Sequence, residues 1–377
     1  MDIVKELHGE VSSLSRDQIT AIVDSKKISW PRWLTTDFSF RKARNEYNIP
    51  WKLYKENELT TTTESQPRKI STVSGQTHPA FEGIRLVPNK LDSYVPFGFH
   101  TQMKKIIKSG RWFPVFIQGH SGNGKTTTVE QVCHELNREC IRINITAETC
   151  EDDLLGSLRL EEGSSPFYYG PVVEAMLRGS ILLLDEIDYA SPKIACIQSV
   201  LEGNSIFLKK ICQRIVPAPG FNVVATANTK GQGSDDGKYV GTSVMNEAFL
   251  DRFLATFEQD YPSAAVEKNI LNKYFANNGI TEEDFINKLV RWASDIRANF
   301  NKGVITQVIT TRRLLHICNS FLIFPNREES IKMALGRYDA DTQRDWWELY
   351  KKIDPTMSGA PIIDHSVKPP APKEHIY

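Results

Sequence analysis

The stretch Gly119-His120-Ser121-Gly122-Asn123-Gly124-Lys125-Thr126, GHSGNGKT, fits the pattern G-x-x-x-x-G-K-[ST]. PVFIQ (114–118) before it is apolar and strand-sized, and TTTVEQVCHEL (126–136) after it reads as the opening of a helix. Three glycines let such a loop curl, so that backbone N–H groups and the helix N-terminus converge on one anion. On this reading Gly119, Ser121, Gly122, Asn123, Gly124, Lys125, Thr126 and Thr127 surround the phosphates of a nucleotide. Lys125 would reach the β- and γ-phosphates, and the Thr126 hydroxyl would ligate Mg²⁺.

Outward from the loop, short apolar runs alternate with helical patterns. PVFIQG, CIRINI, SILLLDE, NVVATAN and LATFEQ are strand-sized and mostly apolar throughout, which suits a parallel sheet covered on both faces by helices. The α/β unit spans residues 84–262. From 263 to 353 the strands stop and an all-helical lid is expected: Thr281 is a candidate N-cap, and Phe285, Leu289, Trp292 and Ile296 recur at helical spacing. Further helical pattern starts at Thr311 and at Glu328. Residues 1–60 read as a small helical module, 61–83 as a polar linker, and 354–377, which contain KPPAP, as a disordered tail.

Two acids end the third strand: Asp185 and Glu186 follow Ile181-Leu182-Leu183-Leu184. Acids at the carboxyl end of a buried strand face the nucleotide site. Asp185 would hold Mg²⁺, directly or through water, and Glu186 would orient and polarise an attacking water. The next strand, FNVVATA, ends in Asn228, whose amide can reach the γ-phosphate or that water. A GTPase would need D-x-x-G here, but Asp188 is followed by Tyr189-Ala190-Ser191, and the N-K-x-D match at Asn89–Asp92 precedes the loop and reads as coincidence. ATP hydrolysis is therefore expected, with ATP and Mg²⁺ as ligands.

With 46 basic and 46 acidic side chains, no global field draws the chain to nucleic acid or membrane. The six cysteines show neither a C-x-x-C pair nor zinc-finger spacing. The opening MDIVKELHGE lacks a signal peptide's apolar core, and the apolar runs are too short to span a bilayer, so a cytoplasmic location without membrane contact is expected. From Lys26 to Lys55 eight basic residues stand against two acidic ones, among seven aromatics; this segment could bind single-stranded nucleic acid or fold as a mini-core with a solvated face.

GHSGNGKTTTVEQ, LLLDEIDYASP, VLEGNSIFLKK, GFNVVATANTKGQGSDDGKYVGT, MNEAFLDRF and ITTRRLL, in this order, resemble the AAA+ ATPases, in the branch of MoxR-like proteins and the cobaltochelatase subunit CobS. The likeness covers roughly Tyr94 to Leu315 and is nearest to CobS-like proteins of tailed bacteriophages, which would place the chain in a host cytoplasm. It implies a ring, a hexamer by expectation, that remodels a protein client; the alternative is a nucleic-acid motor or loader in phage replication. By position Asn228 matches sensor 1, Arg252 matches the arginine finger completing a neighbour's site, and Arg312 matches sensor 2, with Arg313 the adjacent alternative. The resemblance also places a hairpin at Gly203–Lys210, whose Phe207, Leu208, Lys209 and Lys210 would project toward a client or pack at home. Asp235 and Asp236 would form a partner-facing or a merely solvated loop.

Overall fold

The computed structural model describes residues 75–358, apart from 162, 232 and 234–240, together with 13–15, 17–21, 41–43 and 46–48. Residues 1–72 and 73–377 form two compact units.

In the first unit the described residues depart from the helical module expected. Strands β1 (Ser13–Ser15), β2 (Arg41–Ala43) and β3 (Glu46–Asn48) form an antiparallel sheet in the order β1-β3-β2. A helical turn at 17–21 follows β1, and Ser15 and Gln18 bond reciprocally to each other's backbone N–H. Three-residue strands carry too short an alternation to be read from sequence. Most of the basic, aromatic segment 26–55 lies outside the described residues.

The second unit is built on five parallel strands: β4 (Val115–Gln118), β5 (Cys140–Asn144), β8 (Ile181–Asp185), β11 (Asn222–Ala227) and β12 (Ala255–Glu258), ordered β12-β4-β11-β8-β5. These are the five runs read as strands. Period-two alternation sends Ile181, Leu183 and Val224 to one face, and Leu182, Leu184, Val223 and Ala225 to the other. Helices α1 (His100–Ser109) and α2 (Lys125–Glu135) cover the first face through Met103, Ile107, Val129 and Val132. Helix α3 (Pro171–Arg178) covers the second through Val172, Val173 and Met176.

Two hairpins leave this layer: β6 (Gly156–Leu158) with β7 (Phe167–Tyr169), and β9 (Ile206–Leu208) with β10 (Gln213–Ile215). Gln76 joins β7, accepting from Tyr169 N and donating to Phe167 O at 2.8 Å each. The end of the polar segment read as linker thus belongs to the folded unit.

The lid comprises α4 (Ala264–Asn277), α5 (Glu283–Asn301), α6 (Thr311–Ile323), α7 (Arg327–Leu335) and α8 (Ala340–Ile353). Phe285, Leu289, Trp292 and Ile296 are buried in its core, with Trp292 edge-on to Trp346 and Tyr350. Glu282 and not Thr281 occupies the N-cap of α5, and its carboxylate is held 2.7 Å from Arg327. Asp354, read as the start of the tail, is buried against Lys288 and Arg327, and a short helical turn follows it at Pro355–Ser358.

Candidate nucleotide site

All five strands run the same way, so their carboxyl ends share one edge of the sheet. Insertion of β11 between β4 and β8 places Asn228 between the phosphate loop and the paired acids. The cleft at this edge has a volume of about 340 Å³. Ser121 to Thr127, Asp185, Glu186, Asn228 and Arg312 all line it.

The loop is held tightly. Gly119 (φ +144°) passes so close to the edge strand's continuation that a Cβ would lie 2.2 Å from Gln259 O; Asn123 Nδ2 donates to the same carbonyl. Lys125, 7% exposed, donates to Gly119 O (2.6 Å), His120 O (3.0 Å) and Asn228 Oδ1 (3.2 Å). Burial pulls its ammonium down to about 8, against the opposing pull of Asp185, Asp188 and Glu186.

Asp185 is 4% exposed and each of its oxygens accepts two hydrogen bonds. Oδ1 accepts from Thr126 Oγ1 at 2.8 Å and from Thr226 Oγ1, and Oδ2 accepts from Arg142 Nε (3.0 Å) and Nη2 (2.6 Å). The Thr126 hydroxyl and the Asp185 carboxylate form a compact, oxygen-only donor pair, which fits a hard divalent cation such as Mg²⁺. Glu186 sits in the left-handed region (φ 57°, ψ 44°), its N–H bonded to Thr226 Oγ1 at 3.2 Å. A non-glycine residue there costs about 1 kcal/mol or more.

Arg312 enters from the lid, with its backbone N–H 3.4 Å from Gly122 O. Gly122 (φ +70°) lies so near the lid that a Cβ would come within 2.9 Å of Thr310 Cβ. Arg312 lines the cleft and Arg313 does not. Arg252 is also outside it: it bonds Glu202 Oε1 (2.9 Å) and Ala248 O at the amino-end side of the sheet, where Leu254 N meets Pro114 O. Gly119 contributes its carbonyl and its close approach but does not line the cleft.

Several contributors escaped the sequence reading. Arg142 in mid-strand β5 ties Asp185 to Glu130. Asp188, fully buried, accepts through Oδ2 from Asn228 N (2.9 Å), Thr229 N (3.0 Å) and Thr229 Oγ1 (3.1 Å), fixing the end of β11. Leu91, Tyr94, Phe97, Ile270 and Leu315 supply an apolar wall suited to a nucleobase. Of the N-K-x-D match only Leu91 lines the cleft; Asp92 pairs with Lys90 at 2.9 Å and its side chain is more than half exposed. On the β9-β10 hairpin Phe207, Lys209 and Lys210 are exposed while Leu208 is buried, so the four do not project together. Asp235 and Asp236 lie outside the described residues.

Residues 114–253 match the family of AAA domains of the dynein-related subfamily. The fold is an α/β P-loop AAA+ fold. The chain is similar to the aerobic cobaltochelatase subunit CobS of Sinorhizobium sp, 29% identical over 63% of this chain and 75% of that one. An uncharacterized protein of Staphylococcus epidermidis is 29% identical over 61% of this chain and 84% of its own, and one of Staphylococcus aureus 28% over 64% and 89%. Among solved structures, NtrX from Brucella abortus overlaps 53% of this chain and 48% of its own, at 18% identity and a TM-score of 0.39. The family match and the CobS similarity support an AAA+ ATPase of the CobS/MoxR type. Among the described residues no helix is long and apolar enough to cross a membrane.

Proposed function

We propose that this protein is a Mg²⁺-dependent remodelling ATPase that works as an oligomeric ring on a protein client. The observation carrying this reading is the convergence in one cleft of Lys125, Asp185, Glu186 and Asn228 from the sheet and Arg312 from the lid. The Thr126 hydroxyl and the Asp185 carboxylate would hold Mg²⁺, which would supply charge neutralisation to the phosphates. Lys125 exchanges its loop carbonyls for phosphate oxygens, a charge-assisted contact. Glu186 polarises the attacking water, and Asn228, bonded to Lys125 and anchored by Asp188, holds the γ-phosphate side of the cleft.

Arg252 supports the ring. It does not reach the cleft of its own chain, so a guanidinium in its position acts on a neighbour's γ-phosphate or not at all. Phe207, 55% exposed at the β9-β10 hairpin, and the lysines beside it are the proposed client contact. A CobS-like protein of phage origin, in the host cytoplasm, is part of the same reading.

Lys125→Ala and Glu186→Gln test the site. The first should lose ATP binding; the second should bind ATP and release no phosphate, because an amide keeps the shape but cannot polarise water. Hydrolysis by Glu186→Gln equal to the wild type would refute the assignment. Stimulation of turnover by single-stranded DNA would instead favour the motor or loader.

A further inference from the structure

Glu267 on α4 is a fully buried carboxylate held by two other lid helices, α5 and α6. Arg297 on α5 grips it with two bonds, Nη1 to Oε2 at 3.0 Å and Nη2 to Oε1 at 2.9 Å, and Thr311 Oγ1 adds a third to Oε1 at 2.7 Å. The remaining guanidinium nitrogen, Nε, donates to Ile309 O at 2.9 Å. The guanidinium plane is therefore fixed, and its face lies 4.3 Å from the ring centroid of Tyr261.

Tyr261 is not a lid residue. It lies in the connection between β12 and α4, and its hydroxyl donates to Ser121 O in the phosphate loop at 3.1 Å. Its ring stacks on His120 of the same loop, centroids 6.1 Å apart and planes within 5°. From Thr311 the chain passes at once to Arg312, whose N–H returns to the loop at Gly122 O. The contacts thus close a circuit: loop, Tyr261, Arg297, Glu267, Thr311, Arg312, loop.

We infer that Tyr261 is a positioning residue that couples the backbone of the phosphate loop to the placement of Arg312, through Arg297, Glu267 and Thr311. The inference rests on the nucleotide reading above. Curling of residues 120–122 around phosphates moves the carbonyl that Tyr261 reads; the rigid Arg297-Glu267 pair passes that movement to the first turn of α6. Arg312 then meets a triphosphate differently from a diphosphate.

Tyr261→Phe removes the bond to Ser121 while keeping the ring against Arg297 and His120. Affinities of the full-length chain for ADP and for a non-hydrolysable ATP analogue, measured by calorimetry with Lys125→Ala as the control, test the coupling. Tyr261→Phe should leave ADP binding in place and weaken the triphosphate analogue about two- to ten-fold, the range one hydrogen bond spans. Arg312→Ala should lose the same preference, and the double variant should lose no more than Arg312→Ala alone. A role confined to lid packing would lower the melting temperature without changing the ratio of affinities, and that result overturns the inference, as do additive losses in the double variant. If the wild type binds neither nucleotide, the functional reading falls and this falls with it. If it binds both with dependence on Lys125 but without regard to Tyr261, only the coupling falls.

Discussion

Raising the pH from 7 to 9 should weaken ATP binding about tenfold, and the cause is the lysine of the phosphate loop. Burial lowers the Lys125 ammonium to about 8, since its own loop carbonyls and the neighbouring acids only partly replace water. A base with a lowered value keeps its charge below that pH and sheds it above. About 90% of the chains carry the ammonium at pH 7 and about 10% at pH 9, while the phosphate's last proton, near pH 6, is already gone across the whole interval. Binding that requires the charged form must draw on the remaining fraction, a loss of about 1.4 kcal/mol at pH 9. The assay is calorimetry in two buffers of different ionisation enthalpy. Affinity should fall between pH 7 and 9, and proton uptake on binding should rise toward one per site over the same interval. Lys125→Arg, whose charge does not titrate there, should give a flat profile. A flat profile in the wild type, without proton uptake, would refute the claim that the buried lysine is recharged by the phosphates.

Arg252→Ala should bind ATP nearly as well as the wild type yet hydrolyse it poorly, and mixing it with Glu186→Gln should restore part of the turnover; full turnover by a demonstrated monomer would contradict a finger acting across subunits. Glu186→Asn should abolish hydrolysis but stabilise the fold by up to about 1 kcal/mol, or about 2 to 4 °C by calorimetry, because asparagine tolerates the left-handed backbone at that position; a lower melting temperature would show the strain argument to be wrong. Glu267→Ala leaves the Arg297 charge buried without its bidentate partner and should cost about 3 to 5 kcal/mol in denaturant unfolding. A loss under about 1 kcal/mol would mean that water reaches the guanidinium.

The central sheet was legible because β4, β8 and β11 are apolar on both faces, a signature of strands sandwiched between helix layers. The loop and the acids were legible because each sits at the end of such a run. Arg142 was not: a charge in the alternating strand β5 reads as solvent-facing, and only the pairing of β5 with β8 turns it toward Asp185. In the sequence Asp188 only excludes D-x-x-G, whereas in the structure its carboxylate secures the end of β11. The base-side wall draws on Leu91, Ile270 and Leu315, which no local pattern links because the lid must fold back before they meet. The two hairpins are built of three-residue strands, too short for periodicity to register.

The edge strand β12 joins two places that would otherwise be strangers. Just before it stands Arg252, outside its own cleft; just after it, the Gln259 carbonyl holds Asn123, and Gln259 N bonds Gln118 O at 2.8 Å. In the proposed ring, a neighbour's γ-phosphate pulls on one end of this rod, and the other end is seated in the chain's own phosphate loop. Each subunit would then sense the occupancy next door as tension on its own loop. In that ring the coupling would be reciprocal: a neighbour's nucleotide would bias this chain's loop, and an occupied loop would bias how Arg252 meets the neighbour.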